Sequence, residues 1–162
     1  MIKLDTKNTG VKHKNLDREI TKLKKKKEAL FLKPWKQDIS EILAFAHKAQ
    51  KKYQDIVVIG IGGSIFGAKT LFETLKHPYW NLNENPRMLF FDNLDASQIL
   101  DLGDVINKEK TLFVIVSKSG ETLEIMEIVK FLIPALKKKF GGKWNNHVVA
   151  VTEKNSGKLY KL

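Results

Sequence analysis

Two short stretches of this chain have residue types and spacing that could do chemistry. Ser117-Lys118-Ser119-Gly120-Glu121-Thr122 offers three hydroxyls within six residues. If a helix follows, its first amides add fixed donors and its dipole adds positive potential. Together such groups can ring the oxygens of a phosphate without an arginine, each charge-assisted bond contributing ~1.5–3 kcal/mol. A capping box with Ser119 at the N-cap and Thr122 or a nearby acid completing it is the plainer reading. Capping uses one hydroxyl, however, and leaves two unexplained, so phosphate binding is the expectation.

The second stretch is Gly60-Ile61-Gly62-Gly63-Ser64-Ile65-Phe66-Gly67. Glycines let a backbone approach a ligand and turn with positive φ. Their amides, with the start of a following helix, suit an anionic or hydroxyl-rich ligand. The dinucleotide pattern fails because Ile65 stands where its third glycine belongs, and no Gly-Lys-Ser/Thr triplet makes a P-loop. A tight strand-to-helix turn needs one or two glycines; here there are four in eight residues. Asp92-Asn93 is a weaker signal, expected to serve a cap or turn rather than a ligand. His13, His47, His77 and His147 are scattered, with no H-x-x-x-H spacing or carboxylate cluster, so no metal site is expected and each histidine reads as structural or solvated. No catalytic residue is assigned within the chain.

These loops need elements to hold them. Asp55–Gly60 is a β-branched run without alternation, which reads as a strand buried on both faces and hence parallel. Arg87–Asp92, Thr111–Val116 and His147–Val151 are the next three strands. Helices are expected over Asn15–Leu32, with Leu16, Ile20, Leu23, Leu30 and Phe31 buried, and, after Pro34, up to about Tyr53. In that second helix Asp38 or Ser40 caps, while Ile39, Ile42, Leu43, Ala46 and Ala49 face the core. Further helices follow over Phe66–Leu75, Ala96–Ile106 (capped by Asp95 or Ser97) and Thr122–Phe140. Pro134 should kink or divide the last of these, and Gly141-Gly142 should stop it. Ser156–Leu162 begins another helix, with no strand after it to receive a crossover. The pattern is α/β: a doubly wound parallel sheet preceded by two helices, its last strand expected to be missing. In such a sheet ligands bind outside the carboxyl ends of strands, near the point where strand order reverses, which singles out the loops after strands one and three.

The whole composition agrees. A length of 162 residues suits one domain, and 43% hydrophobic with 29% charged residues is a soluble globular mix. Cysteine is absent, which excludes a disulfide framework, a zinc–thiolate site and a Cys nucleophile, and fits a reducing cytoplasm. No apolar run approaches membrane-spanning length, so no membrane association is expected. The net charge is +11, but all cations except Arg18 and Arg87 are lysine. Readers of nucleic acid favour the planar arginine fork and interleaved aromatics, so the run Lys24–Lys27 reads as a solvated helix face and no nucleic-acid partner is expected.

Gly60–Lys69 resembles the glycine loop of the glucose-6-phosphate isomerase family, and Ser117–Glu124 is similar to its phosphate loop and to the wider sugar-isomerase (SIS) superfamily. Phe91-Asp92-Asn93, Val149–Thr152 and Ser156–Leu159 extend the resemblance over residues 38–162, while residues 1–37 match loosely. The resemblance implies a flavodoxin-like SIS fold with a five-stranded parallel sheet, no metal or organic cofactor, and interconversion of glucose 6-phosphate and fructose 6-phosphate in glycolysis and gluconeogenesis. Carried over by position, Ser117, Ser119 and Thr122 would bind the substrate phosphate with help from the Lys118 amide, and Gly63 and Ser64 would contact the sugar. The division implied is an N-terminal arm and helix over 1–37 and a truncated sugar-phosphate-binding SIS domain over 38–162.

Aldose–ketose isomerisation needs a base to move a proton between C2 and C1 and an acid to open the ring. The family uses a glutamate, a histidine and a lysine, with an arginine near the enediolate. Those motifs are absent from these residues, so the chain is expected to be inactive alone and part of a longer cytoplasmic homodimer. Phe66 in place of leucine, Ser119-Gly120 in place of a threonine version, and Ile125 after Glu124 depart from the family without removing a phosphate donor. They leave room for another SIS isomerase, acting on a mannose or aminosugar phosphate, or for a non-catalytic SIS sensor. The basic Asn15–Tyr53 segment could mimic such a sensor's DNA-binding helices, but lysine dominates and a turn glycine is lacking. A nucleotide-binding oxidoreductase using Gly60–Gly67 and Asp92 is opposed by Ile65.

Overall fold

A computed structural model describes residues 13–25 and 34–162. The chain divides into two compact units, residues 1–44 and 45–162. The first holds α1 (His13–Lys25) and a 3-10 turn at Pro34–Lys36. The boundary falls inside α2 (Ser40–Lys52), whose first turn is held by Asp38: its Oδ1 accepts from the Ser40 N–H at 2.9 Å. The expected buried side of α2 is corrected. Ala49 is buried and Ala46 half-buried, but Ile39, Ile42 and Leu43 are exposed. On α1, Ile20 and Leu23 are likewise exposed; Leu30 and Phe31, expected on the same helix, lie outside the described residues.

The second unit holds the four expected strands: β1 (Asp55–Ile59), β2 (Arg87–Phe91), β3 (Thr111–Val116) and β4 (Val148–Val151). All pairings are parallel, in the order β2-β1-β3-β4. The chain leaves β1 to one side for β2 and returns to the other side for β3, so strand order reverses between β1 and β3. Val57, Leu89 and Phe113 stand in register on one face, with Ile59, Phe91 and Ile115 two residues on. That face is covered by Leu102 and Ile106, at and just beyond the end of α5 (Ala96–Val105), and by α6 (Leu123–Phe140). Ile125, Ile128, Val129, Ile133 and Leu136 recur at helical spacing and form the buried stripe of α6. Each such side chain contributes about 1.5–3 kcal/mol when fully buried. The opposite face receives Ala49 and Tyr53 on Leu112, and Phe72 of α3 (Gly63–Leu75) against Phe90, with 5.7 Å between ring centres. Helices on both faces of an all-parallel sheet make the fold doubly wound.

Several elements differ from expectation, and α1 begins at His13 rather than Asn15. α3 begins at Gly63, not Phe66, and a short α4 (Trp80–Asn83) occupies an expected loop. α6 runs undivided through Pro134 and stops at Gly141, as its glycines imply. The helix expected over Ser156–Leu162 is reduced to a 3-10 turn at Leu159–Lys161. Asn155 at φ 61° and Gly157 at φ 73° are left-handed, which no right-handed helix accommodates. Among the described residues no helix is long and apolar enough to cross a membrane.

Candidate functional site: two loops at the strand-order reversal

β1 and β3 are adjacent, with Ile59 opposite Ile115. Their exits therefore deliver the two candidate loops side by side at the carboxyl end of the sheet, where neighbouring strands lie about 4.8 Å apart. After β1, Gly62 takes φ 59° and serves as the N-cap of α3 without any side-chain cap bond. Gly63 and Ser64 are then the first two residues of α3, and the Ser64 N–H is taken up by the Ile61 carbonyl at 3.3 Å. Gly63 is exposed, and a Cβ there would meet nothing within 4 Å. Ser64 is half-buried.

After β3, Ser117 is 1% exposed, and its Oγ lies 2.8 Å from Thr122 Oγ1 and accepts from the Gly120 N–H at 3.2 Å. Ser119 is exposed, and its Oγ accepts from the Glu121 N–H at 3.2 Å. Lys118 is exposed beside them. The capping-box alternative is thereby corrected: the N-cap of α6 is Thr122, not Ser119, and it makes no side-chain cap bond. Its hydroxyl faces Ser117 instead, because Ser117 is fixed at the end of a buried strand. The structure thus brings Ser117, Ser119 and Thr122 together around one turn, next to two helix starts that lack a capping side chain.

Asp92 pairs with α3, and the cap of α5 falls to Asp95. Asp92 Oδ2 accepts from Lys69 Nζ of α3 at 2.9 Å, and this carboxylate raises the Lys69 ammonium above its ordinary value of 10.5. Asp95, as expected, caps α5 by accepting from the Ser97 N–H. His147 is buried, stacked on Phe140 at 3.9 Å, with Nδ1 3.0 Å from the Thr111 carbonyl; His47 and His77 are exposed. Among the described residues no group of His, Cys, Asp or Glu could hold a metal ion. A cavity of about 330 Å³ lies between α5 and α6, away from both loops; apart from Lys108 and Lys139 its lining is apolar, including Ile99, Ile128 and Phe131. Thr152 and Gly157, read in the sequence as part of the family resemblance and given no role there, touch the hydroxyl loop from β4's side. Their signal is spatial, since β4 neighbours β3 only once the sheet is formed.

The phosphoglucose isomerase family model matches residues 18–161. The chain belongs to the phosphoglucose isomerase family. It is 32% identical over 131 residues to the glucose-6-phosphate isomerase of Carboxydothermus hydrogenoformans, covering 78% of this chain and 28% of that protein. It is 38% identical over 109 residues to that of Borreliella afzelii, covering 65% and 20%. A crystal structure of a glucose-6-phosphate isomerase from Chlamydia trachomatis superposes with a TM-score of 0.61 at 33% identity, over 72% of this chain and 22% of that one. A hypothetical protein of Thermus thermophilus superposes equally well, with TM-score 0.61 and 28% identity, over 99% of this chain and 40% of the other. The chain thus spans between a fifth and a third of the length of the curated relatives it matches.

Proposed function

We propose that this chain is the N-terminal sugar-phosphate-binding part of a glucose-6-phosphate isomerase, with residues 38–162 as the SIS domain and 1–37 as an arm. In this reading Ser117, Ser119 and Thr122 hold the phosphate of glucose 6-phosphate or fructose 6-phosphate, and the Lys118 amide assists. Gly63 and Ser64 meet the sugar from the neighbouring loop. The observation that carries it is the pre-grouped hydroxyl pair of Ser117 and Thr122, 2.8 Å apart beside a helix start whose amides have no side-chain cap. A phosphate dianion offers these donors stronger bonds than they give each other. These residues supply grip and orientation, not proton transfer; the base and acid of the reaction belong to segments that would complete a longer, homodimeric enzyme of the cytoplasm. The chain alone then binds hexose phosphates and turns them over negligibly.

Calorimetric titration with fructose 6-phosphate, inorganic phosphate and fructose tests this. The expected result is saturable binding of both phosphates, none of fructose, and no isomerase turnover. Binding of fructose as tight as that of its phosphate, or no binding of any of the three at millimolar concentration, would overturn it.

A further inference from the structure

Residues 152–159, which follow β4, hold the hydroxyl loop from one side. The Lys118 carbonyl accepts from the Glu153 N–H at 3.1 Å and from the Thr152 hydroxyl at 3.4 Å. The Gly120 carbonyl accepts from the Leu159 N–H at 3.0 Å, and the Ser117 N–H donates to the Val151 carbonyl at 3.0 Å. Leu159 is 1% exposed and part of the main core cluster, so this clamp is anchored to the core. Contact is backbone on backbone. At Gly157 (φ +73°) a Cβ would run into the Ser119 carbonyl oxygen and lie 2.8 Å from the carbonyl carbon and Cα of Gly120. At Gly120 (φ +67°) it would lie 2.9 Å from Thr152 Oγ1 and 3.1 Å from the Ser156 carbonyl oxygen. Neither position has room for a side chain, and neither backbone conformation favours one.

This contact sets the direction of the loop's donors. A trans peptide is planar, with its C=O and N–H on opposite sides. The Lys118 and Gly120 carbonyls turn toward the clamp, so the N–H groups of Ser119 and Glu121, which share those peptide planes, turn away from it, that of Glu121 onto Ser119 Oγ at 3.2 Å. We infer that Gly157 is a positioning residue for anion binding: its missing side chain lets residues 152–159 seat against Ser119-Gly120 and aim the Ser119 amide at a phosphate. The inference rests on the phosphate reading above. Gly157 touches no substrate; it acts through the backbone it supports.

Gly157→Ala and Gly141→Ala separate this role from simple backbone strain. Gly141 also has positive φ, at 55°, but a Cβ there meets nothing within 4 Å. With inorganic phosphate as probe, Gly157→Ala should weaken binding at least ~10-fold, whereas Gly141→Ala should change it less than ~2-fold. Without ligand, Gly157→Ala should displace the amide resonances of Ser119 and Glu121, and core amides of β1 and β3 should keep their hydrogen-exchange protection. Unchanged phosphate affinity and unmoved Ser119 and Glu121 resonances would overturn the inference. If Gly157→Ala does not fold, Thr152→Val takes its place. A loss of ~2- to 5-fold with the same two resonances displaced supports the clamp, and wild-type affinity overturns it. Failure of the wild-type chain to bind phosphate, with its ligand-free resonances still responding to Gly157→Ala, would instead contradict the phosphate reading alone.

Discussion

The two ends of the sheet both carry buried polar residues and treat them oppositely. At the amino end, Asp55 is fully buried where β1 starts, with Arg87 and Thr111 in register beside it. Its Oδ1 accepts from Arg87 Nε at 2.6 Å and its Oδ2 from the Asn107 N–H at 2.8 Å. Arg87 Nη2 donates to the Val105 carbonyl at 3.0 Å, and Thr111 Oγ1 to the Asn107 carbonyl at 2.7 Å. Each of these groups finds its partner within the protein. At the carboxyl end, Ser117 and Thr122 bond to each other, and the N-caps of α3 and α6 supply no side-chain bond to the helix amides. The lesson is that burial of polar atoms alone does not mark a site. At the amino end the network ties strand to strand, whereas at the strand-order reversal the Ser117, Ser119 and Thr122 hydroxyls bond within their own turn.

The sharpest way to break this contrast is at Asp55. Asp55→Ala removes one partner of a buried charge pair, which typically costs 3–5 kcal/mol. Arg87 is 28% exposed and can recover some hydration, so the expected loss is about 3 kcal/mol, read as a lower denaturant midpoint, with phosphate affinity of the folded chain unchanged. Ser117→Ala should do the reverse. Losing one charge-assisted bond of ~1.5–3 kcal/mol lowers fructose 6-phosphate affinity by about 10- to 100-fold in titration, while the Gly120 N–H keeps its bond to the Ser117 carbonyl at 3.1 Å and the fold stays intact. Ser119→Ala, at an exposed hydroxyl, should lower affinity less than Ser117→Ala. The smallest effect belongs to Asp95, the cap of α5. The Ser97 side-chain hydroxyl, followed by its backbone N–H, holds the Asp95 carboxyl below its ordinary 3.8. A depressed folded value means the cap's contribution is present above pH 3.8 and disappears as pH falls through the folded value. Thermal melts of Asp95→Ala should therefore show a small deficit at neutral pH that vanishes in strong acid.

Much of this was legible in the residues themselves. The non-alternating run Asp55–Ile59 announced a strand covered on both faces, and all four strands lie where the runs placed them to within a residue at each end. The hydroxyl loop stood out because three hydroxyls exceed what a helix cap uses. The start of α3 was misplaced because glycines read as turn, although Gly63 needs only a neighbour to close the first helical turn. The Asp55–Arg87–Asn107 network joins residues 32 and 52 positions apart, and the seat of Gly157 on Ser119 exists only once β4 lies beside β3. Such contacts belong to the folded sheet and leave no local pattern.

One measurement reaches the central claim directly: backbone amide shifts of the isotope-labelled chain during titration with fructose 6-phosphate. Saturable shifts are expected at Ser117–Thr122 and at Gly62–Ser64, with Asp55, Asn107 and Thr111 unmoved. Silent loops at millimolar ligand, or shifts centred on the amino end of the sheet, would contradict it.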